Sequence, residues 1–214
     1  MLSRLQSKSN VWGALMLHLT KEEQQNIQNA RNLYYDFFNG FFVFELIEGR
    51  LETSQKQILI LKESLLEESL DKSLSYLQEE IKNNGMQGFK QEHTQMFALP
   101  FGEKQVGIHL SHYYENCIGG ESLLTMRSLI KQSDIRLNRD NFKDTEEHIG
   151  FLFGLMRYLI QNNQDSLAKE VFLFSNNAFL GLCGELQERG DSKLYLHLAL
   201  LLESFLKFEK EFYN

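Results

Sequence analysis

TKEEQQNIQNARNLYYDFFNGFFVFELIE, residues 20–48, decides the fold class. Thr20 and Glu23 have the spacing of a capping box, in which each side chain satisfies a free backbone amide of the other. A helix is therefore predicted from Thr20 to about Glu48, bent at Gly40. Its later part carries Tyr34, Tyr35, Phe37, Phe38, Phe41, Phe42 and Phe44 on nearly every side. A helix that is apolar all round belongs at the centre of a protein, wrapped by others.

Helical periodicity continues outward from this stretch. Ser54-Gln-Lys-Gln57 is a second capping-box spacing, and its helix is expected to reach about Lys82, with Leu70, Leu74, Leu77 and Ile81 in one stripe. Asn83-Asn84-Gly85 is a stop signal. Residues 85–102 hold glycines and the single proline, Pro100, and read as a long loop. A helix over Glu103–Ile118 would align Val106, Leu110, Tyr113 and Cys117 until Gly119-Gly120 breaks it. A shorter helix is expected near Ser122–Gln132, then a polar loop, Asp134–Lys143. From Asp144 to Asn162-Asn163, Ile149, Leu152, Phe153, Met156, Leu159 and Ile160 share a face. Asp165–Arg189 carries two apolar stripes and, past Gly190, Asp191–Phe212 places Leu194, Leu198, Leu201 and Phe205 in register. No strand-like alternation of any length, internal repeat or low-complexity tract interrupts the pattern. The prediction is an all-α bundle of about six to ten helices, as one domain over residues 1–214.

Bulk properties exclude several classes. An apolar share of 43% supplies a core, and a net charge of −7 argues against nucleic acid, whose phosphates need a basic face. Such a surface attracts a basic peptide. Cys117 and Cys183 are too few for a disulfide framework and read as small core hydrophobes. Met1–Ser9 carries Arg4 and Lys8 without the apolar stretch and cleavage site of a secretory signal. Leu33–Leu46 is interrupted by Asp36, Asn39 and Glu45, short of the roughly 20 apolar residues that span a bilayer. A cytoplasmic protein without stable membrane insertion is expected.

Enzyme signatures are missing. Neither Gly85–Gly88 nor Gly119–Gly120 fits a phosphate-binding loop, no nucleophile elbow occurs, and none of the six histidines follows a Glu by three, as a di-iron bundle requires. No catalytic residue or cofactor is expected. His109, His112 and Glu115, spaced by three, could touch one ion on a helix, which keeps a metal-dependent enzyme as an alternative to a plain surface cluster. DTEEHIGFLFGLM, residues 144–156, turns from an acidic loop into an amphipathic helix. Asp144 as N-cap with Glu147 reaching back explains its acids. Capping alone needs no histidine, so His148 leaves a binding role open.

That stretch resembles a motif of the TorD/DmsD/NarJ chaperones, an acid, usually followed by Pro, and then an Asp-His pair opening an apolar helix. Asp144 stands for the first acid, Glu147 for the Asp and His148 for the His, with Leu152 and Met156 downstream; Thr145 replaces the Pro and Glu147 is longer than Asp. Tyr114-Glu115 and Gly120-Glu121-Ser122-Leu123-Leu124-Thr125-Met126 are similar to a second family stretch in the correct order. The lone tryptophan, Trp12, lies in the N-terminal segment, away from the groove aromatics of some members.

The resemblance implies a TorD-like helical fold and a cytoplasmic chaperone. Such a protein binds the twin-arginine signal peptide, or the apo form, of a molybdenum-cofactor oxidoreductase, assists cofactor insertion and delays export until maturation. It also implies peptide contacts from Glu147 and His148 at a groove edge, Asp144 as loop organiser, and Tyr114 and Glu115 on the facing helix. Formate dehydrogenase, dimethyl sulfoxide or trimethylamine N-oxide reductase and nitrate reductase are all compatible clients, with formate dehydrogenase ahead by analogy alone. A monomer, or a dimer exchanged through the 85–102 loop, is expected. A helical adaptor with another client is the competing binding role.

Overall fold

Helix α1 (Lys21–Phe42) forms the axis of the computed structural model, which describes residues 19–99 and 104–213. The expectations placed on Met1–Ser9, Trp12, Pro100 and Glu103 lie outside the described residues. The capping box forms: the Thr20 hydroxyl accepts from the Glu23 amide at 3.2 Å, and the Glu23 carboxylate accepts the Thr20 amide at 2.9 Å. Tyr34, Tyr35, Phe37, Phe38, Phe41 and Phe42 are all buried, as expected of a central helix, while Phe44 is exposed. The helix stops short of Glu48. Val43 turns extended, and a separate short helix α2 (Phe44–Ile47) leads away, so the break falls at Val43 rather than Gly40.

Helix α3 (Leu51–Glu63) begins ahead of the predicted Ser54 cap, leaving Ser54 buried inside it without a hydroxyl partner. The expected single helix of residues 54–82 is two: a break at Ser64 precedes α4 (Asp71–Asn84), which carries the buried Leu74, Leu77 and Ile81. Gly85, at φ +62°, ends α4 in a conformation that favours glycine. The predicted loop 85–102 is largely helix α5 (Gln87–Phe97), which buries Phe89, Met96 and Phe97. Gly88, read as a breaker, is a packing residue whose added Cβ would sit 2.1 Å from Glu80 Oε1. The segment through which domain exchange was expected is therefore mostly helix.

A second correction concerns Glu103–Ile118. Helix α6 is just Leu110–Glu115, and the described residues before it form no helix, with Val106 and Ile108 buried at alternate positions and His109 extended. The Ile149 amide donates to the Ile108 carbonyl at 2.8 Å and the Leu110 amide to the Glu147 carbonyl at 3.2 Å, making a one-residue antiparallel bridge between His109 and His148. Cys117 falls in the break after α6 and is exposed, contrary to its reading as a core residue; Cys183 is buried.

Helices α7 (Glu121–Ile130), α8 (Ile149–Gln161), α9 (Asp165–Glu188) and α10 (Leu194–Tyr213) follow. All six predicted core residues of α8 are buried, as are both stripes of α9 apart from the partly buried Phe174. Antiparallel α1 and α8 make the most extensive helix pair. Their approach is close because α8 presents glycine: a Cβ on Gly150 would lie 2.5 Å from the Phe42 carbonyl oxygen, and one on Gly154 3.0 Å from Asn39 Nδ2. The fold is all-α.

Candidate functional site

The turn from Asp144 to His148 joins the long 131–148 segment to α8. Its N-cap is His148, whose Nδ1 accepts from the Phe151 amide at 3.4 Å, four residues later than the Asp144 cap expected. Asp144 instead accepts from the Thr145 amide at 2.7 Å and pairs with His109 Nε2 at 2.7 Å, while His148 Nε2 lies 4.0 Å away. The two imidazoles meet edge to face at 5.5 Å. Burial pushes His148 well below its ordinary value against the opposing charge of Asp144. Burial alone would raise the Asp144 carboxyl, but the hydrogen bond and charge of His109 hold it below the usual carboxylate range.

Glu147 does not reach back to its own helix. It is fully buried, and its two oxygens accept from the Ser111 amide at 2.9 Å and the Gly119 amide at 2.8 Å. It thereby satisfies an orphan donor in the first turn of α6 and fixes the break beyond that helix. Tyr114 and Glu115 sit at the other end of α6. Tyr114 donates its hydroxyl to the Phe174 carbonyl on α9, and Glu115 accepts from the Ser122 amide and hydroxyl at 3.2 and 2.6 Å. Structure thus gathers Asp144, His148 and His109, links Glu147 to the base of α6, and leaves Tyr114 and Glu115 on the α7–α9 side.

The metal alternative is overturned. His109 precedes α6 in extended backbone, so its spacing to His112 is not helical, and the three side chains face different partners: Asp144, Glu185 at 3.1 Å, and Ser122. Among the described residues no group of three His, Cys, Asp or Glu side chains is placed to hold a metal ion.

An open cleft of about 410 Å³ lies between the C-terminal end of α1, α2, the 131–148 segment and α8. Leu46, Ile135, Phe142, Phe151, Leu155 and Tyr158 make its apolar wall; Asn39, Glu45, Asn141, Arg157 and Gln161 make its polar edge. Phe142 rests edge to face on His148 at 5.1 Å and stacks on Phe151 at 6.1 Å, so the motif histidine stands directly behind this wall. Glu45 is exposed and has no ion pair or hydrogen bond among the described residues. Sequence reasoning missed Leu46 and Phe142 as lining. The available signal was an aromatic within a polar loop, since loops position binding residues on rigid scaffolds.

A family model described as the nitrate reductase delta subunit matches residues 63–188, more than half of the chain. The chain belongs to this family. It is a family of molybdoenzyme-maturation chaperones, not of catalysts, and its members interact with molybdoenzyme precursors. No curated protein and no solved structure matches the chain. The match takes in the 144–148 turn, the 131–148 segment and α8, whereas the α1–α2 wall of the cleft precedes it. In this delta-subunit family member no helix among the described residues is long and apolar enough to cross a membrane. What the cleft offers chemically is an apolar surface for side chains and an unpaired carboxylate at its edge. Those features suit an apolar group with a cation beside it.

Proposed function

We propose that this protein binds the twin-arginine leader of a molybdenum oxidoreductase in the cytoplasm and holds the unloaded enzyme back from export. The open apolar cleft edged by Glu45, in a member of a molybdoenzyme-chaperone family, carries the reading. Such a leader offers two arginines followed by an apolar run that can become helical. Burying ~200 Å² of apolar surface, cleft and peptide together, contributes on the order of 5 kcal/mol before association and ordering costs. An arginine paired with the exposed Glu45 adds up to about 1 kcal/mol. The cleft therefore supplies most of the affinity and Glu45 selects for a cationic end.

In this reading Asp144, Glu147 and His148 act by shaping the wall: His148 backs Phe142, Asp144 ties His109 to the turn, and Glu147 anchors the α6 base. Tyr114 and Glu115, at the far end of α6, are assigned as secondary contacts. Titrating labelled leader peptides of nitrate reductase, formate dehydrogenase and dimethyl sulfoxide reductase against the purified full chain tests the proposal. At least one should bind saturably. Leu46→Lys, which puts a cation on the half-exposed apolar rim, should weaken it about tenfold or more with helicity unchanged. Failure of every leader to bind, or an unaffected L46K, overturns the reading.

A further inference from the structure

Asp36 lies one turn along α1 from the cleft residue Asn39, and two arginines share its carboxylate. Arg50 is locked in place. Its Nη2 donates to the Asp36 carbonyl at 3.0 Å and to Gln57 Oε1 at 3.3 Å as well as to the Asp36 carboxylate, and its guanidinium fills the space left by the missing side chain of Gly40. Gln57 donates to the same carboxylate at 2.7 Å. Arg157 differs in every respect: it comes from α8, lines the cleft, is 41% exposed against 17% for Arg50, and touches Asp36 through Nη1 alone. Among the described residues Asp36 is its one acidic partner.

We propose that Arg157 occupies a guanidinium subsite of the cleft in the free protein, and that an arginine of the incoming peptide takes its place on Asp36. This rests on the cleft being the peptide site. Exchange of one guanidinium for another keeps the half-buried carboxylate paired throughout, so no unpaired charge is left behind. The displaced Arg157 already reaches solvent and lines the same cleft as the unpaired Glu45. A lysine is a poorer substitute, because its compact, strongly hydrated ammonium loses more on leaving water than the weakly hydrated guanidinium does. Arg157 thus competes with the client, and the competition favours peptides bearing arginine.

Fluorescence anisotropy with two versions of a leader found to bind, one with its arginine pair and one with lysines in their place, tests the subsite on the full chain. Arg157→Gln should bind the arginine version about fivefold more tightly than the wild type, the scale of a partly exposed ion pair, and gain little for the lysine version. Asp36→Asn should erase the gain when combined with R157Q; urea denaturation of each variant establishes that it is folded. A binding wild type with R157Q unchanged or weaker on the arginine leader, or an equal gain for both leaders, overturns the subsite and leaves the cleft reading standing. If neither wild type nor R157Q binds any leader, both fall together.

Discussion

His93 and His148 are both buried, and neither burial is visible from its neighbours in the chain. His93 sits among Phe44, Phe97 and Tyr195, with the Phe42 carbonyl 3.5 Å from its Nε2. Burial lowers it to about 4, a shift that the Phe42 carbonyl opposes, and holds His148 well below its ordinary value. In the unfolded chain both take up protons near pH 6.5. From there down to about pH 4 the unfolded state binds more protons than the folded one, so stability falls as the solution is acidified. Asp144 adds a contribution that is present above its ordinary value and lost as pH drops below it. Urea midpoints measured between pH 7 and 4.5 should decline, and His93→Gln should flatten the profile; an equally steep profile in the variant would refute this assignment. Glu147 teaches the same lesson. The sequence reading placed its carboxylate at the start of its own helix, but backbone amides far along the chain are its partners.

Helix positions were legible where an apolar stripe ran uninterrupted, as in α8, α9 and α10, because a 3.6-residue period has one good burial solution. They were misread where glycine or a polar residue was taken at face value. Gly88 sits inside α5 and Ser54 inside α3, since tertiary contacts outweigh a propensity difference of about 1 kcal/mol. Val106, Ile108 and Leu110 did carry an alternating pattern, but three residues are too few to distinguish from a helix edge. The Gly150–Gly154 face is the element-scale feature that sets the α1–α8 distance. Gly150→Ala should cost about 1–3 kcal/mol, since its Cβ meets a backbone oxygen that cannot rotate away. Gly184→Ala, with nothing within 4 Å, should be neutral or stabilising by up to about 1 kcal/mol. Chemical denaturation of the two variants checks both, and a tolerated G150A would mean the helices are free to separate.

Across the whole molecule, α10 is fastened to α1 by a buried ion pair. Arg31 donates to both Glu209 oxygens at 2.8 and 2.7 Å, Tyr35 adds its hydroxyl at 2.9 Å, and both charged side chains are fully buried. Removing one partner strands the other charge, so Glu209→Ala should destabilise by about 3–5 kcal/mol. The double change Arg31→Met, Glu209→Leu should recover much of that loss, because no charge then remains buried. Thermal and urea unfolding measure both. A double variant no more stable than E209A would show that the pair itself, rather than its unmatched halves, holds the helices. The cleft that Glu45 edges and the Arg157–Asp36 contact belong to this scale too, since each needs helices distant in the chain to meet.

Local order alone settled the helical class, the central place of the aromatic helix and the kinship carried by residues 114–156, because apolar period, caps and motif spacing are properties of neighbouring residues. Partner choice was decided by the packed chain. Which amides Glu147 serves, which acid holds Arg157 and which aromatic closes over His148 all depend on backbone approach between segments dozens of residues apart, and that approach is set by shape and burial that no local pattern encodes.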